Sequence, residues 1–170
     1  MTLTPLDPAD LAAAEALYLA SFPPEERRDW QQIADPALMP RLLGVYDDAA
    51  ALAGFITIWP FDTFIYVEHF AVDPSRRGAG IGATAIELLR RQSELPIVLE
   101  VEPPTHPDPM APRRIRFYER CGLHLLDYDY TQPPYAPGLP SVPLRLMTTD
   151  PTLSPRTIET TLHTRVYQKA

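Results

Sequence analysis

Apolar and polar positions along the 170-residue chain switch between a helical and a strand-like period, and the switches mark out the elements. Leu11, Ala14, Leu17 and Tyr18 recur at helical spacing behind Asp7-Pro8-Ala9-Asp10. There Asp7 fits an N-cap, Pro8 the first helical position and Asp10 the positive end of the helix. Pro23-Pro24 ends that helix, and Glu25 to Ala34 predicts a short second one. Arg41 to Tyr46 and Ala51 to Trp59 read as strands joined by a turn at Asp47-Asp48. Phe64 to Val72 predicts a longer strand, with Tyr66, Glu68, Phe70 and Val72 on one face and Val67, His69 and Ala71 on the other. Gly80 to Arg91 is the clearest helix: Ile81, Ala85, Leu88 and Leu89 share a side, and Arg90 and Arg91 occupy the last turn. A short strand, Ile97 to Glu102, precedes a loop over 103–112 and a helix that opens near Asp108 or Pro112. That helix runs to Cys121, with Gly122 placed to cap it. Leu123 to Tyr130 and Val142 to Met147 predict two more strands, and Ile158, Leu162 and Val166 mark a final helix.

Composition changes this picture at one point, proline. There are 21 prolines in 170 residues, against a background of about 5%. Spread evenly they would break every element, since each removes a donor and fixes φ. Instead the windows 9–22, 25–35, 41–59, 61–73, 75–95, 113–132 and 156–170 contain none. Hydrophobic residues at 45% and charged residues at 22% are ordinary for a globular protein. One cysteine excludes a disulfide framework and a multi-cysteine zinc site. A net charge of -7 argues against nucleic acid as a partner. No apolar run reaches the ~20 residues that span a bilayer, and the N-terminus lacks a signal-peptide layout, so no membrane partner and a cytoplasmic location are expected.

The chemistry-bearing segment is Asp73-Pro74-Ser75-Arg76-Arg77-Gly78-Ala79-Gly80-Ile81-Gly82-Ala83, which places three of the seven glycines between a strand and a helix. Glycines let a ligand approach backbone N–H groups, and the helix start adds free donors and positive potential, so this is an anion site. A P-loop would need Gly-Lys-Ser/Thr, which is absent. The dinucleotide pattern is formally met by Gly78, Gly80 and Ala83 with Glu100 downstream, but it should follow its strand directly and open a βαβ unit. A glycine turn that only caps a helix is the plain alternative.

Arg77-Gly78-Ala79-Gly80-Ile81-Gly82 also resembles the R-x-x-G-x-G/A signature of the GNAT superfamily of acyl-CoA-dependent N-acyltransferases. The preceding strand, Glu68 to Pro74, is similar to the strand that feeds that loop. A second block, Arg113-Arg114-Ile115-Arg116-Phe117-Tyr118-Glu119-Arg120-Cys121-Gly122-Leu123, resembles the family's A-x-x-F-Y-x-x-x-G-F segment. Ala111 and Arg114 stand where the family often has asparagine and alanine, and the stretch from Glu102 to Arg113 is longer than in compact members. The resemblance implies an α/β fold of α+β layout: one domain over 1–170, with a mixed, mostly antiparallel central sheet of about seven strands, flanked by helices and splayed in a V between its two central strands. It implies acetyl-CoA as co-substrate. The backbone at Gly78, Ala79, Gly80, Ile81, Gly82 and Ala83, with Arg76 and Arg77, would hold the pyrophosphate. The main chain at Phe70, Ala71 and Val72 would pair with the pantetheine.

Direct attack by an amine needs a base, a carbonyl-oxygen donor and an acid for the thiolate. The resemblance makes Tyr118 the acid, with packing against Ile115 as the structural alternative. Glu100 matches the strand glutamate of protein N-terminal acetyltransferases, and Glu68 is its rival. Either could instead be a carboxylate paired with an arginine. His69 is a weaker candidate. Cys121 reads as a small buried hydrophobe rather than a nucleophile. His69, His106, His124 and His163 show no ligand spacing, and no metal is expected. On the acceptor side stand Glu26, after Pro23-Pro24, and Tyr130, Gln132 and Tyr135, on a proline-stiffened loop. They suit a small-molecule or peptide amine. Homodimerisation is left open, and the alternative function is a catalytically idle acyl-CoA-binding sensor or scaffold.

Overall fold

The computed structural model describes residues 1–169. The chain divides into two compact units, one ending at Leu95 and the other starting at Pro96. In the first lie β1 (Thr2–Pro5), α1 (Leu11–Ser21), α2 (Trp30–Ala34), β2 (Arg41–Tyr46), β3 (Leu52–Pro60), β4 (Ile65–Val72) and α3 (Ile81–Gln92). Its strands pair in the order β1-β2-β3-β4, each neighbour antiparallel. β3, flanked on both edges, is buried from Ala53 to Trp59, as a continuous apolar run should be. β1 is an addition to the expected elements: of its four residues only Leu3 is buried, opposite Val45, too little for any periodicity to register.

Asp7 caps the first turn by accepting from Ala9 N at 2.9 Å, and α1 then lays Ala14 and Tyr18 into a cluster with Ile33, Phe55 and Ala71. The Tyr18 ring lies 5.5 Å from those of Phe22 and Trp30 and 6.1 Å from Phe55. So large a polar residue can be buried because its hydroxyl is satisfied, accepting from Arg28 N at 2.7 Å and donating to Arg28 O at 3.0 Å. The same two bonds divide the helix predicted over Glu25 to Ala34. With both backbone groups of Arg28 spent on Tyr18, the chain makes a 3-10 turn at Pro24–Glu26 and restarts at α2, where Asp29 caps Gln31 N at 3.0 Å.

The second unit holds β5 (Ile97–Val101), α4 (Ala111–Arg120), β6 (His124–Leu125), β7 (Tyr130–Gln132), β8 (Val142–Thr148) and α5 (Pro155–Thr161), which runs into a π turn at Leu162–Val166. β8 is the hub, antiparallel to β5, β6 and β7. The single strand predicted over Leu123 to Tyr130 is two: β6 pairs with the end of β8 and β7 with its start. Asp127 and Asp129 between them turn outward to Arg145, with Asp129 Oδ1 at 3.0 Å. The units together hold eight strands among the described residues, mostly antiparallel and flanked by helices, one more than expected. Prolines fall at element ends, as at Pro5, Pro60, Pro112 and Pro155; Pro143 alone lies inside a strand, opposite Thr131. Among the described residues no helix is long and apolar enough to cross a membrane.

Gly54 tests the closeness of β3 and β4. A Cβ built there would lie 2.4 Å from the Ala71 carbonyl oxygen, which is backbone and cannot swing away. Gly54→Ala is expected to lower stability by about 1–3 kcal/mol in urea unfolding, and an unchanged midpoint would contradict this packing.

Candidate active site

The glycine loop is held at its flank and bare at its centre. Asp73 accepts from Ser75 N at 2.8 Å and Ser75 Oγ at 2.7 Å, folding Pro74–Arg76 into a 3-10 turn. Arg76 pairs with Asp47 in the β2–β3 turn, and Arg77 Nε donates to Val72 O at 3.3 Å. Asp47 lies below the usual carboxylate range because the Ala51 N–H and then Arg76 bond it. Gly78 and Gly80 adopt φ of 86° and 76°, and a Cβ on either would meet nothing within 4 Å. Conformation rather than crowding requires glycine here, and Gly78, Ala79 and Gly80 are exposed. Gly80 begins α3 with no side-chain cap, its carbonyl accepting from Thr84 N at 3.0 Å. The N–H groups of Ile81, Gly82 and Ala83 have no acceptor in the helix and face the positive end of its dipole. Ala79 completes the exposed loop. Upstream, Phe70, Ala71 and Val72 pair with Ile56, Phe55 and Gly54; Ala71 is buried, while Phe70 and Val72 are half-buried.

Glu68 sits where β4 bulges: Thr57 pairs with His69 and Ile58 with Val67, so the register shifts across Glu68. The strict alternation expected along this strand therefore does not carry through Glu68. Its side chain is fully buried. Arg28 reaches it with Nε at 2.9 Å and a second nitrogen at 2.8 Å, and Trp59 Nε1 donates to it at 2.8 Å. Burial pushes its carboxyl up, but the Arg28 charge and the hydrogen bonds from Arg28 and Trp59 outweigh that and hold it below its ordinary value. His69 lies beside this pair rather than remote from it. Its Nε2 donates to the Glu26 carbonyl at 2.9 Å, which leaves Nδ1 to accept from Thr57 Oγ1 at 3.2 Å. Burial keeps the imidazole below its usual range.

In the second unit Glu100 on β5 accepts from Tyr130 Oη and from Tyr167 Oη, the latter 2.9 Å from Oε2 and 3.2 Å from Oε1. Tyr135 packs on Tyr167 with ring centroids 5.1 Å apart. Burial, and then the Glu100 charge, raise Tyr130 well above an ordinary phenol. Gln132, two residues on, is buried. Tyr118 lies in the last turns of α4 against Phe117, ring centroids 5.0 Å apart. Burial raises its hydroxyl too, so it remains a proton donor at neutral pH. Cys121 follows as the helix cap, before Gly122 at φ 86°. Among the described residues no group of three or more His, Cys, Asp or Glu could hold a metal ion.

The family model for the Acetyltransferase (GNAT) family matches residues 10–123, which contain the loop, Glu68, Glu100 and Tyr118. The chain belongs to the GNAT family. It is 38% identical to a protein of Bacteroides thetaiotaomicron assigned to the GNAT acetyltransferases, with a TM-score of 0.88 and both chains covered in full. It is 32% identical over 99 residues to YjbC of Bacillus subtilis (strain 168), assigned as an acetyltransferase. That match covers 58% of this chain and 50% of YjbC, so the chain spans about half the length of the curated relative it matches. Arabidopsis thaliana Naa50, solved with the bisubstrate analogue CoA-Ac-MVNAL, shares the fold at a TM-score of 0.63 and 19% identity, over 88% of this chain and 97% of Naa50.

Within this GNAT fold the structure gathers Glu100 and Tyr130 into one hydrogen-bonded group, with Tyr135 alongside through Tyr167. It puts Glu26 next to His69 through its carbonyl. Tyr167 and Arg28 escaped the sequence reading. Each is an ordinary residue in its own segment, and its significance lies in a carboxylate 67 or 40 positions away.

Arg28→Ala would remove the guanidinium that faces the buried Glu68 carboxylate and is expected to cost about 3–5 kcal/mol in urea unfolding. Acid should weaken the wild type through the same cluster. His69 and Glu68 both titrate below their ordinary 6.5 and 4.5, so unfolding takes up a proton at each site. Their contributions are complete above those values and are lost as pH falls below 6.5 for His69 and below 4.5 for Glu68. Melting temperature recorded against pH should therefore drop in two stages, and His69→Phe should remove the first.

Proposed function

We propose that this chain transfers the acetyl group of acetyl-CoA to a primary amine of a small molecule or peptide by direct attack. Membership of the GNAT family carries this reading, and the open glycine loop supports it: two residues at positive φ with free space above them fit a ligand that approaches the backbone. Gly78 to Ala83 hold the pyrophosphate through main-chain N–H groups. Arg77 adds charge from an exposed position, whereas Arg76 acts through its pair with Asp47. The main chain at Phe70 to Val72 binds the pantetheine. Bound acetyl-CoA supplies the activated acyl group.

Glu100 accepts a proton from the acceptor's ammonium, which frees the nitrogen lone pair to attack the thioester carbonyl. Its partners include the hydroxyls of Tyr130 and Tyr167, neutral donors that orient the carboxylate and are not themselves charged. Glu68 is the poorer base, because protonating it would remove the anion that the buried Arg28 guanidinium pairs with. Tyr118, kept protonated by burial, donates to the departing thiolate. For the acceptor, Glu26 and Tyr135 are half-buried, while Tyr130 and Gln132 are buried. Acidic and aromatic side chains each suit a cation.

Thiol release from acetyl-CoA over an amine panel tests this. Glu100→Gln is expected to lower kcat by about 10²–10⁴-fold, and Tyr118→Phe by about 10²-fold. Coenzyme A binding without turnover on any amine would favour the sensor or scaffold instead. Gly80→Val, which forces a β-branched residue toward φ 76°, should weaken coenzyme A by about tenfold or more in calorimetry. Unchanged affinity would remove the loop from the cofactor site.

A further inference from the structure

We infer that Tyr167 is a positioning residue for the Glu100 carboxylate, presented to it by the π turn at the end of α5. The inference rests on Glu100 being the proton acceptor. A glutamate carboxylate rotates freely about its last bond, because that torsion is broad and roughly two-fold. Here two hydroxyls from different elements remove the freedom: Tyr130 of β7 donates to Oε1, and Tyr167 donates to Oε2 at 2.9 Å. The Tyr167 hydroxyl is buried with its ring, and Tyr135 backs the ring at 5.1 Å.

The backbone is distorted where it delivers this side chain. Tyr167 N donates to Leu162 O at 3.0 Å, five residues back rather than four. One extra residue in the turn rotates the residues after it by about 100° about the axis. The helix cannot achieve this by rolling as a body, because it is already lashed to the β6–β7 segment. Tyr128 Oη donates to Glu159 at 2.6 Å, and His163 Nε2 donates to Thr131 O at 3.0 Å. With Ile158, Leu162 and Val166 also buried, the inserted residue is what carries Tyr167 round to Glu100. π turns are rare and cluster at functional sites.

Within this unit the titratable and charged groups on the elements near Glu100 include His163 of the π turn, whose ring lies 5.6 Å from that of Tyr130. β7 brings Tyr130, the loop after it Tyr135, and α5 brings Glu159, which acts on Tyr130. On β8 the residue opposite is Leu146, and neighbouring Arg145 is turned to Asp129 at 3.0 Å. On α4, Tyr118 has a raised hydroxyl and Arg114 is turned to Glu102 and Asp108. A donor to the ionised carboxylate favours that form, so its loss moves proton uptake to higher pH.

The experiment compares kcat/KM against pH for wild type, Tyr167→Phe, Tyr130→Phe and Glu100→Gln, each assayed below its own melting midpoint. Tyr167→Phe keeps the ring and should lower kcat about tenfold with KM for acetyl-CoA unchanged. It should also move the acid limb upward by about half to one pH unit. Tyr130→Phe should move the limb in the same direction. Deleting exposed Thr164, which removes the extra residue of the π turn, should reproduce the Tyr167→Phe profile. An acid limb that superimposes on the wild type in Tyr167→Phe, whatever its melting point, overturns the positioning role. A wild-type profile in the deletion overturns the part given to the π turn. If Glu100→Gln itself keeps full activity, the base assignment fails. If Glu100→Gln is inactive and Tyr167→Phe is unaltered, only the positioning role fails.

Discussion

An ionised carboxylate placed out of reach of water must receive all its compensation from the protein, and in the first unit Glu68 makes that demand. Much of the local architecture answers it. Arg28 supplies a matching charge and two nitrogens, Trp59 supplies an indole N–H, and the Arg28 guanidinium lies 5.1 Å from the Trp59 ring centroid. Holding Arg28 there fixes the connection between α1 and α2, where Tyr18 takes both backbone groups of the same residue. The hydroxyl of Tyr18 and the imidazole of His69 come to 3.5 Å of one another within this network. A loop of Pro, Glu and Arg residues that would otherwise be free to move is thereby fastened to the middle of a sheet.

The two carboxylates that compete for the role of base are solvated in opposite ways. Glu68 faces a cation, which stabilises it as an anion and removes its value as a proton acceptor. Glu100 faces hydroxyls, which orient it while remaining neutral in either protonation state. Chemistry that has to pick up and release a proton is ill served by the first arrangement, since protonating Glu68 removes the anion that the buried Arg28 guanidinium pairs with.

Features set by local rules were legible in the sequence. The glycines at 78, 80 and 122 mark positive-φ positions beside helices, and α3 and α4 fall within a residue or two of where their capping and spacing predict. Features set by distant partners were not. The helix over Glu25 to Ala34 yields to a hydroxyl contributed from α1. The strand over Leu123 to Tyr130 is interrupted between Leu125 and Tyr130, where Asp127 and Asp129 turn outward toward Arg145 on β8. A one-residue bulge at Glu68 and a one-residue π insertion before Tyr167 leave too little trace in periodicity to be seen over eight or five residues. Leu3, the one inward side chain of β1, is invisible for the same reason. The roles of individual residues depend on those irregularities more than on the regular elements.

Prolines bear a second consequence. Ten of the 21 lie in two stretches, five over 103–112 and five over 133–143, and much of both is exposed. Long exposed loops are where proteases usually enter a folded domain, because the chain there can bend into an extended cleft. A backbone with φ fixed at every second or third residue resists that adjustment. It also has fewer conformations to gain on unfolding, which favours the native state. The two longest irregular segments of the second unit are thus armoured against nicking without the help of disulfides, a protection written into the main chain itself.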